Sequence, residues 1–320
     1  MTAARVEPVD ARTARDETLL AIHRVEEACA DDLAPGEPWR SAAEALGYMR
    51  NPPSDERRHW WLARLDDEAV GMAALYVHGS SPLGWVHLRV LPRFRRRGVG
   101  RLLFAAVAEE ARRHGLASLG AHHSTPDGAE FAAAAGAKDA QRDVRSVLRL
   151  KEAELPPPTV PSGYALRSWV GAAPDELARS FADARNAVDD APQPEGQELP
   201  PWTVQRLRDV EQAVARRNRD IRVTVATTDG GDVAAFTEIR VSAPPSLTAS
   251  TEDTATVAAH RRRGLSLAVK VESLRLLRAD RSDVEVVPTL NAESNSAMRA
   301  VNTKLGFVPI ATLTTAVLQL

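Results

Sequence analysis

The stretch VLPRFRRRGVGRLLFAAVAEEARRHG, Val90 to Gly115, joins the end of an aliphatic strand to a long helix through three arginines and two glycines. After Gly98, apolar residues such as Leu103 and Val107 recur at helical spacing, which predicts an amphipathic helix. A helix that begins at glycines exposes free backbone N–H groups at its positive end. Because such an end attracts anions, we expect a diphosphate to bind here.

The residue types of this loop fit that expectation. Glycine lets the backbone approach a diphosphate without obstruction from a side chain, and arginine neutralises its charge. The loop lacks the lysine followed by serine or threonine of a Walker loop, and it is not the G-x-G-x-x-G dinucleotide fingerprint. The residues expected to contact the diphosphate are Val90, Arg95, Arg96, Arg97, Gly98, Val99, Gly100 and Arg101.

Composition limits the class of protein. The chain has 320 residues, 44% of them hydrophobic, and a net charge of −2, which is typical of a globular protein of about two domains. The single cysteine, Cys29, excludes a disulfide framework and any multi-cysteine metal site. Balanced charge argues against nucleic-acid binding. The absence of a signal-peptide pattern and of a long apolar run favours the cytoplasm and no membrane partner.

The segment KEAELPPPTVPSG, Lys151 to Gly163, divides the chain almost in half, because consecutive prolines favour extended geometry over a packed element. We predict one domain over residues 1–152, a linker over 153–163 and a second domain over 164–320. Each half contains alternating apolar strands and amphipathic helices in the same order. The predicted fold class is α/β (α+β), with a mixed, mainly antiparallel sheet flanked by helices in each domain.

The second half repeats the opening stretch as TATVAAHRRRGLSLAVKVESLRLLRAD. The order of strand, bend, arginine triplet, glycine and helix is retained, but Ser266 stands where the first loop has Gly100. The residues expected to contact a second diphosphate are Arg261, Arg263, Gly264, Leu265 and Ser266.

Both loops resemble motif A of the GNAT acetyltransferases, in which a V-x-P strand end leads into R/Q-x-x-G-x-G/A. The later NSAMRAVNTKLGF resembles motif B of that family, and Asn295 matches its asparagine. The layout is similar to the tandem GNAT proteins common in actinobacteria, to which mycothiol synthase is related. The resemblance implies two tandem GNAT domains, acetyl-CoA as co-substrate and no metal. It also implies that Asn295 contributes to cofactor binding.

Two residues are candidates for the catalytic base. His87 and Asp253 lie eleven positions before Gly98 and Gly264 respectively. The alternation in WVHLRVLP places His87 on the face of its strand opposite Val86 and Leu88, and a pKa near neutrality would suit a base. The alternative for His87 is a purely structural role in its strand, and the alternative for Asp253 is binding of a cationic substrate without proton transfer.

The acid of the reaction has no candidate in the chain. In the family it is often a tyrosine of motif B, but the matching positions are Asn302 and Ala132. The thiolate would then leave through water, unless a tyrosine comes from elsewhere. The segment VDDAPQPEGQELP, residues 188–200, is either an acidic lip that attracts an amine or a solvated loop.

These observations predict an acetyl-CoA-dependent N-acetyltransferase that moves an acetyl group directly to the primary amine of a small molecule. Relatives similar to mycothiol synthase imply that both halves bind the cofactor while the C-terminal half catalyses. The alternative is a non-catalytic acyl-CoA-binding or scaffold protein built from degenerate GNAT domains. The sequence leaves the acceptor amine and the oligomeric state open.

Overall fold

The computed structural model describes residues 4–79, 81–190 and 200–320. The first half contains β1 (Arg5–Val9), α1 (Asp16–Ala28), α2 (Ala42–Arg50), β2 (Glu56–Leu65), β3 (Glu68–His78), β4 (Leu83–Val90), α3 (Val99–Arg113), β5 (Ser118–His123), α4 (Pro126–Ala134) and β6 (Lys138–Arg149). The second half contains β7 (Tyr164–Val170), α5 (Asp175–Arg185), α6 (Val204–Arg216), β8 (Arg219–Thr228), β9 (Val233–Ser242), β10 (Ala249–Thr256), α7 (Leu265–Asp280), β11 (Val286–Ala292), α8 (Ser296–Lys304) and β12 (Val308–Gln319).

The described residues form two compact units that depart from the predicted halves at residues 144–152, at Pro200 and at the C-terminal end of the chain. The first unit takes residues 4–143, without the undescribed residue 80, and adds Pro200 and Ala311–Leu320 from the end of the chain. The second unit takes residues 144–190 and 201–310. The predicted boundary at residue 152 therefore falls inside the second unit. Residues 153–163, the predicted linker, contain no helix or strand.

The first unit has a sheet in the order β1-β2-β3-β4-β5, followed by the last residues of β12. Neighbouring strands are antiparallel, except that β4 and β5 run parallel. The C-terminal strand pairs with β5 from Thr314 opposite His123 to Gln319 opposite Ser118. This pairing covers the edge that β5 would otherwise expose, which explains why these residues belong to the first unit.

Helices cover both faces of this sheet. On one face, Leu103 and Val107 of α3 pack with Val86 of β4, as the alternation along that strand predicts. On the other face, Leu19 and Ile22 of α1 pack against β2 and β3. Trp85 belongs to this second cluster, so odd-numbered residues of β4 face α1 and α2.

The second unit repeats this plan with a sheet in the order β10-β9-β8-β7, all antiparallel. Leu265 and Val269 of α7 pack on one face, and Phe181 of α5 and Leu207 of α6 pack on the other. Leu148, at the end of β6, is buried in this unit's core, which explains the first segment that departs from the predicted halves. The predicted fold class, α/β with mainly antiparallel sheets flanked by helices, is confirmed; the sheet of the first unit is mixed, and the four-stranded sheet of the second unit is antiparallel.

Within the described residues, none of the helices combines the length and the hydropathy that crossing a bilayer requires.

Candidate functional site

The two arginine–glycine loops have the same backbone conformation. Arg96 and Arg262 adopt positive φ angles of 63° and 62°, and Gly98 and Gly264 adopt φ angles of 84° and 80°. A left-handed arginine costs conformational energy, and such strain is typical of functional sites. Its occurrence at the same position of both loops shows that the second loop retains the shape of the first despite Ser266 in place of Gly100.

Each loop presents an uncapped helix start. Gly98 is the N-cap of α3 and Gly264 the N-cap of α7, and no described side chain caps either helix. A Cβ atom built at either glycine would meet no atom within 4 Å. Space is therefore open beside each N-cap glycine, next to the first-turn N–H groups that a pyrophosphate site would use. Val99 and Leu265 are buried in the cores, so they offer only their backbone N–H groups.

The two lead arginines bind the end of the preceding strand. Arg95 Nε donates to the Val90 carbonyl at 3.2 Å, and Arg261 Nε donates to the Thr256 carbonyl at 3.1 Å. The Arg95 guanidinium also pairs with Asp32 at 2.5 Å and reaches Asp127 at 3.5 Å. The charge of Arg95 thus faces two carboxylates, and its predicted contact with a diphosphate stays a prediction.

The remaining arginines differ in how free their charges are. Arg96 pairs with the exposed Glu130 at 2.8 Å. Arg97 lies over the Phe94 ring at 5.5 Å, and Arg263 lies 6.0 Å from the Tyr164 ring centroid. Arg97, Arg101 and Arg263 are exposed, so their guanidinium groups are accessible to an anion.

The second position after each N-cap glycine is filled differently in the two units. A Cβ atom at Gly100 would approach the Phe131 ring to 3.1 Å, so the ring of α4 packs tightly over the start of α3. Ser266 instead forms a hydrogen bond of 2.8 Å with the hydroxyl of Thr256. Its side chain is therefore held by the strand end, which explains how serine is accommodated in this loop.

The parallel strands next to each loop pair over only a short stretch. The pairing of β4 with β5 covers four positions, from Leu83 opposite Ser118 to Val86 opposite Ala121, and both strands continue beyond it. In the second unit a single parallel bridge, Thr248 to Val286, links the chain before β10 to β11.

His87 is poorly suited to act as a strong base. Its Nδ1 lies 3.3 Å from the Tyr76 hydroxyl. Burial, followed by the charge of Arg89, lowers the pKa of His87 well below its ordinary value. The prediction of a pKa near neutrality is therefore wrong, because the imidazole is desolvated among cationic neighbours and stays neutral.

Asp253 belongs to a network of charges at a β-bulge. The register of β10 against β9 shifts between Thr251 and Thr254, so Asp253 lies in the bulge. Arg185, which is 1% exposed, donates to Asp253 at 2.9 Å and also pairs with the buried Glu238. The Asp253 side chain is 37% exposed, so this carboxylate is both held by an arginine and accessible.

The two acidic groups of the network have opposite pKa shifts. Desolvation by the surrounding protein raises the pKa of the Asp253 carboxyl although part of this group stays exposed, Arg185 opposes this effect, and the charge of Glu238 adds to it. Burial also raises the pKa of Glu238, but Arg240 and Arg185 outweigh this effect and lower it to about 2. Asp253 therefore takes up a proton more readily than its neighbour, as a base must.

The first unit has no corresponding bulge in its described strands. The pairing of β3 with β4 runs without a shift from Gly71 opposite Val90 to Tyr76 opposite Trp85. A bulge leaves backbone groups unpaired and redirects a side chain, and bulges are common next to active sites. The two units thus share the loop but differ in the strand that precedes it.

Asn295 and Asn302 both lie on α8 or at its start. Asn295 is the N-cap of this helix, and its Oδ1 accepts from the Met298 N–H at 3.2 Å. This contact gives Asn295 a structural role as a helix cap, and its role in cofactor binding stays a prediction. Asn302 donates to Asn291 at 2.7 Å, and its own Oδ1 is buried without a partner among the described residues.

Arg185 and Lys270 are residues of this region that the sequence analysis missed. Lys270 of α7 is 3% exposed, and its Nζ lies 5.3 Å from the centroid of the Phe307 ring. Burial lowers the pKa of Lys270 to about 8. Its signal in the sequence is a lysine between Val269 and Val271 in an apolar helix.

The acidic segment of residues 188–200 falls largely on residues 191–199, which lie outside the described residues.

Comparison with known proteins agrees with this geometry. Residues 22–134 match the acetyltransferase (GNAT) family. A tandem GNAT protein from the clavulanic acid biosynthesis pathway, solved without acetyl-CoA, is 27% identical, with a TM-score of 0.84 over 99% of this chain and 98% of that one. A GCN5-related N-acetyltransferase from Sphaerobacter thermophilus is 19% identical, with a TM-score of 0.72 over 99% and 95%. No curated protein matches the sequence.

The chain therefore contains a GNAT acetyltransferase domain in its first half and has the fold of a tandem GNAT protein throughout. Acyl transfer is the class of activity that this family supports. The likeness to actinobacterial proteins and to mycothiol synthase stays a prediction.

Proposed function

We propose that this protein is an acetyl-CoA-dependent N-acetyltransferase that moves an acetyl group directly to the primary amine of a small molecule, with the chemistry in the second unit. The observation that carries this proposal is the bulge of β10, which presents the accessible carboxylate of Asp253 beside the buried Arg185. This bulge precedes the loop at Gly264, whose backbone has the same shape as the loop at Gly98 in the first unit.

The loops fit the pyrophosphate of acetyl-CoA through their own groups. The uncapped N–H groups at Gly98 and Gly264 would bind phosphate oxygens, and the open space above both glycines admits them. Exposed Arg97 and Arg263 would balance the charge. Acetyl-CoA supplies the thioester, and the protein supplies orientation and proton transfer.

In the proposed reaction Asp253 receives a proton from the substrate ammonium, directly or through one water molecule. The free amine then attacks the thioester carbonyl and a C–N bond forms. The C–S bond breaks as the thiolate leaves, and the nitrogen gives up its second proton, which passes through water to the thiolate. Asn302 and Ala132 stand where a tyrosine acid is often found in the family, so we assign protonation of the thiolate to water. The raised pKa of Asp253 favours its role as acceptor.

We assign the first unit to cofactor binding alone. Its loop is complete, but the pKa of His87 is lowered well below its ordinary value, so this imidazole accepts a proton from an ammonium poorly. The continuous pairing of β4 with β3 also leaves it without the unpaired backbone groups of a bulge. The non-catalytic alternative rests on the absence of a tyrosine at either acid position.

The test is transfer from acetyl-CoA to a panel of small primary amines, followed by release of the free thiol. We expect Asp253→Asn to lower kcat by about 100- to 10,000-fold, the range for loss of a general base, with the affinity for acetyl-CoA unchanged. Glu252→Gln is the matched control, because Glu252 is the neighbouring carboxylate in the same bulge, and we expect at most a few-fold change.

Two results would overturn the proposal. Equal loss of kcat in both variants would show that Asp253 has no special role. Tight binding of acetyl-CoA by the wild type with no turnover of any amine would favour the acyl-CoA-binding or scaffold alternative.

A further inference from the structure

Three side chains with metal-binding chemistry meet on the α3 face of the first unit. His59 lies on β2, Glu110 lies on α3, and His114 is the C-cap of α3, four residues beyond Glu110 and therefore on the same side of the helix. All three are partly buried, and their ligand atoms lie within 4.8 Å of one another. Nothing in the acyl-transfer site described above uses them.

The distances in this cluster match those around a metal ion. Glu110 Oε1 lies 3.4 Å from His59 Nδ1 and 3.2 Å from His114 Nε2. Zn²⁺ binds imidazole nitrogen and carboxylate oxygen at about 2.0–2.2 Å, so ligand atoms of a tetrahedral site are separated by about 3.3–3.5 Å. One carboxylate oxygen is thus spaced from both histidines as the edges of such a tetrahedron require.

The surroundings hold these groups in place. Arg113 donates to the second carboxylate oxygen, Glu110 Oε2, at 3.0 Å and leaves Oε1 facing the histidines. The His59 ring is stacked near Trp61, with centroids 6.3 Å apart. His59 Nε2 is buried and has no partner among the described residues, so no hydrogen bond at that nitrogen accounts for the ring's position. The Arg113 contact to Glu110 is of the kind that orients metal ligands.

An opening leads to the cluster. His59 and Glu110 line a cavity of about 720 Å³ in the first unit, together with Arg57, Glu109 and Trp60. A cavity of this size admits an ion and leaves room for water to complete its coordination.

We propose that His59, Glu110 and His114 bind one divalent transition-metal ion of the Zn²⁺ class, which links β2 to the C-terminal end of α3. Neutral imidazoles and one carboxylate are ligands that such ions accept. Glu110 lies twelve residues beyond Gly98, about 18 Å along the helix axis, so the ion stabilises the unit and takes no part in acyl transfer. This site departs from the expectation of no metal.

The experiment uses the full-length, tag-free protein after treatment with a chelator. Zn²⁺ is titrated calorimetrically, and Co²⁺ is used as a spectroscopic probe, because tetrahedral Co²⁺ absorbs visible light strongly. We expect one equivalent to bind and the thermal midpoint to rise, since an ion that binds only the folded state stabilises it.

Variants separate the site from non-specific binding. Glu110→Gln and His114→Gln should each weaken Zn²⁺ binding by more than about 100-fold. Substitution of residues that contact metal ligands without binding the metal themselves typically weakens binding by less than this. Glu109→Gln is the matched control, because this exposed neighbour pairs with Arg113 but is not in the cluster, and it should bind as the wild type does. Each variant is first shown to unfold cooperatively without metal.

The proposal is overturned if the wild type binds no ion more tightly than about 100 µM, a level at which surface carboxylates and histidines bind weakly. It is also overturned if Glu110→Gln retains the affinity of Glu109→Gln, or if the bound Co²⁺ lacks the tetrahedral spectrum.

Discussion

Replacement of Gly264 by glutamate tests whether the second loop holds a pyrophosphate. A side chain fits there, because a Cβ atom would meet nothing within 4 Å. The φ angle of 80° imposes a backbone cost of about 1–2 kcal/mol on any residue with a Cβ. Gly264→Ala carries the same backbone cost without a charge, so the difference between the two variants isolates the electrostatic effect.

The size of that effect follows from Coulomb's law. A carboxylate about 5 Å from a phosphate charge costs about 1 kcal/mol in a water-like dielectric and about 3 kcal/mol at an effective dielectric of 20. The dissociation constant of acetyl-CoA for this site should therefore be about 5- to 150-fold higher in Gly264→Glu than in Gly264→Ala. High salt should reduce the difference, because the charges are exposed.

The assay is isothermal titration of acetyl-CoA into the wild type, both Gly264 variants, and the same pair of substitutions at Gly98. We expect two binding events in the wild type, of which each glutamate removes or weakens one. Equal dissociation constants for Gly264→Glu and Gly264→Ala would refute the argument for a pyrophosphate at the second loop. If only Gly98→Glu abolishes binding, the first unit is the sole cofactor site and the proposal of catalysis in the second unit fails.

Two further predictions concern stability and pH. The folded-state pKa of Lys270 lies at about 8, below its ordinary value of 10.5. The charged lysine therefore lowers the free energy of unfolding below pH 8, and this effect disappears as the pH rises past 10.5, the pKa of lysine in the unfolded chain. Lys270→Met should raise the free energy of unfolding by about 3 kcal/mol at pH 7 and by much less near pH 10.5, measured by urea unfolding; equal gains would contradict this. The pKa of Glu238 is lowered to about 2 from 4.5, so its ion pairs stabilise the protein above pH 4.5 and are lost as the pH falls to about 2. In Glu238→Gln the thermal midpoint should therefore fall less steeply between pH 4.5 and pH 2 than in the wild type. The same pH dependence in both proteins would show that other carboxylates dominate the acid unfolding.

Much of the fold could be predicted because its determinants are local. The helix predicted after Gly98 is found as α3, Val99–Arg113, and its apolar stripe packs on the sheet as its periodicity requires. The arginine–glycine stretches recur as two loops of equal backbone shape. Positive φ angles at Gly98 and Gly264 are a property that glycine itself permits, so the sequence carries the signal directly.

The charges of the candidate site could not be predicted in the same way. The pKa of His87 depends on its burial and on the charges of Arg58 and Arg40, which lie far from it in the sequence, as well as on that of Arg89 in its own strand. Asp253 was found by its spacing from Gly264, but its partner Arg185 lies 68 residues away and carries no motif. Desolvation and ion pairing are set by neighbours in space, and the order of residues along the chain does not record them.

The sequence by itself determined the duplicated α/β plan, the two loops and the positions of Asp253 and His87, since periodicity and spacing act over a few residues. Only the tertiary structure decided that Thr314–Gln319 pairs with β5 and that a bulge distinguishes β10 from β4. It also brings His59 to Glu110 and His114. Strand partners and side-chain clusters are settled by packing between distant segments, because each buried edge and each buried charge must find its partner in the folded chain.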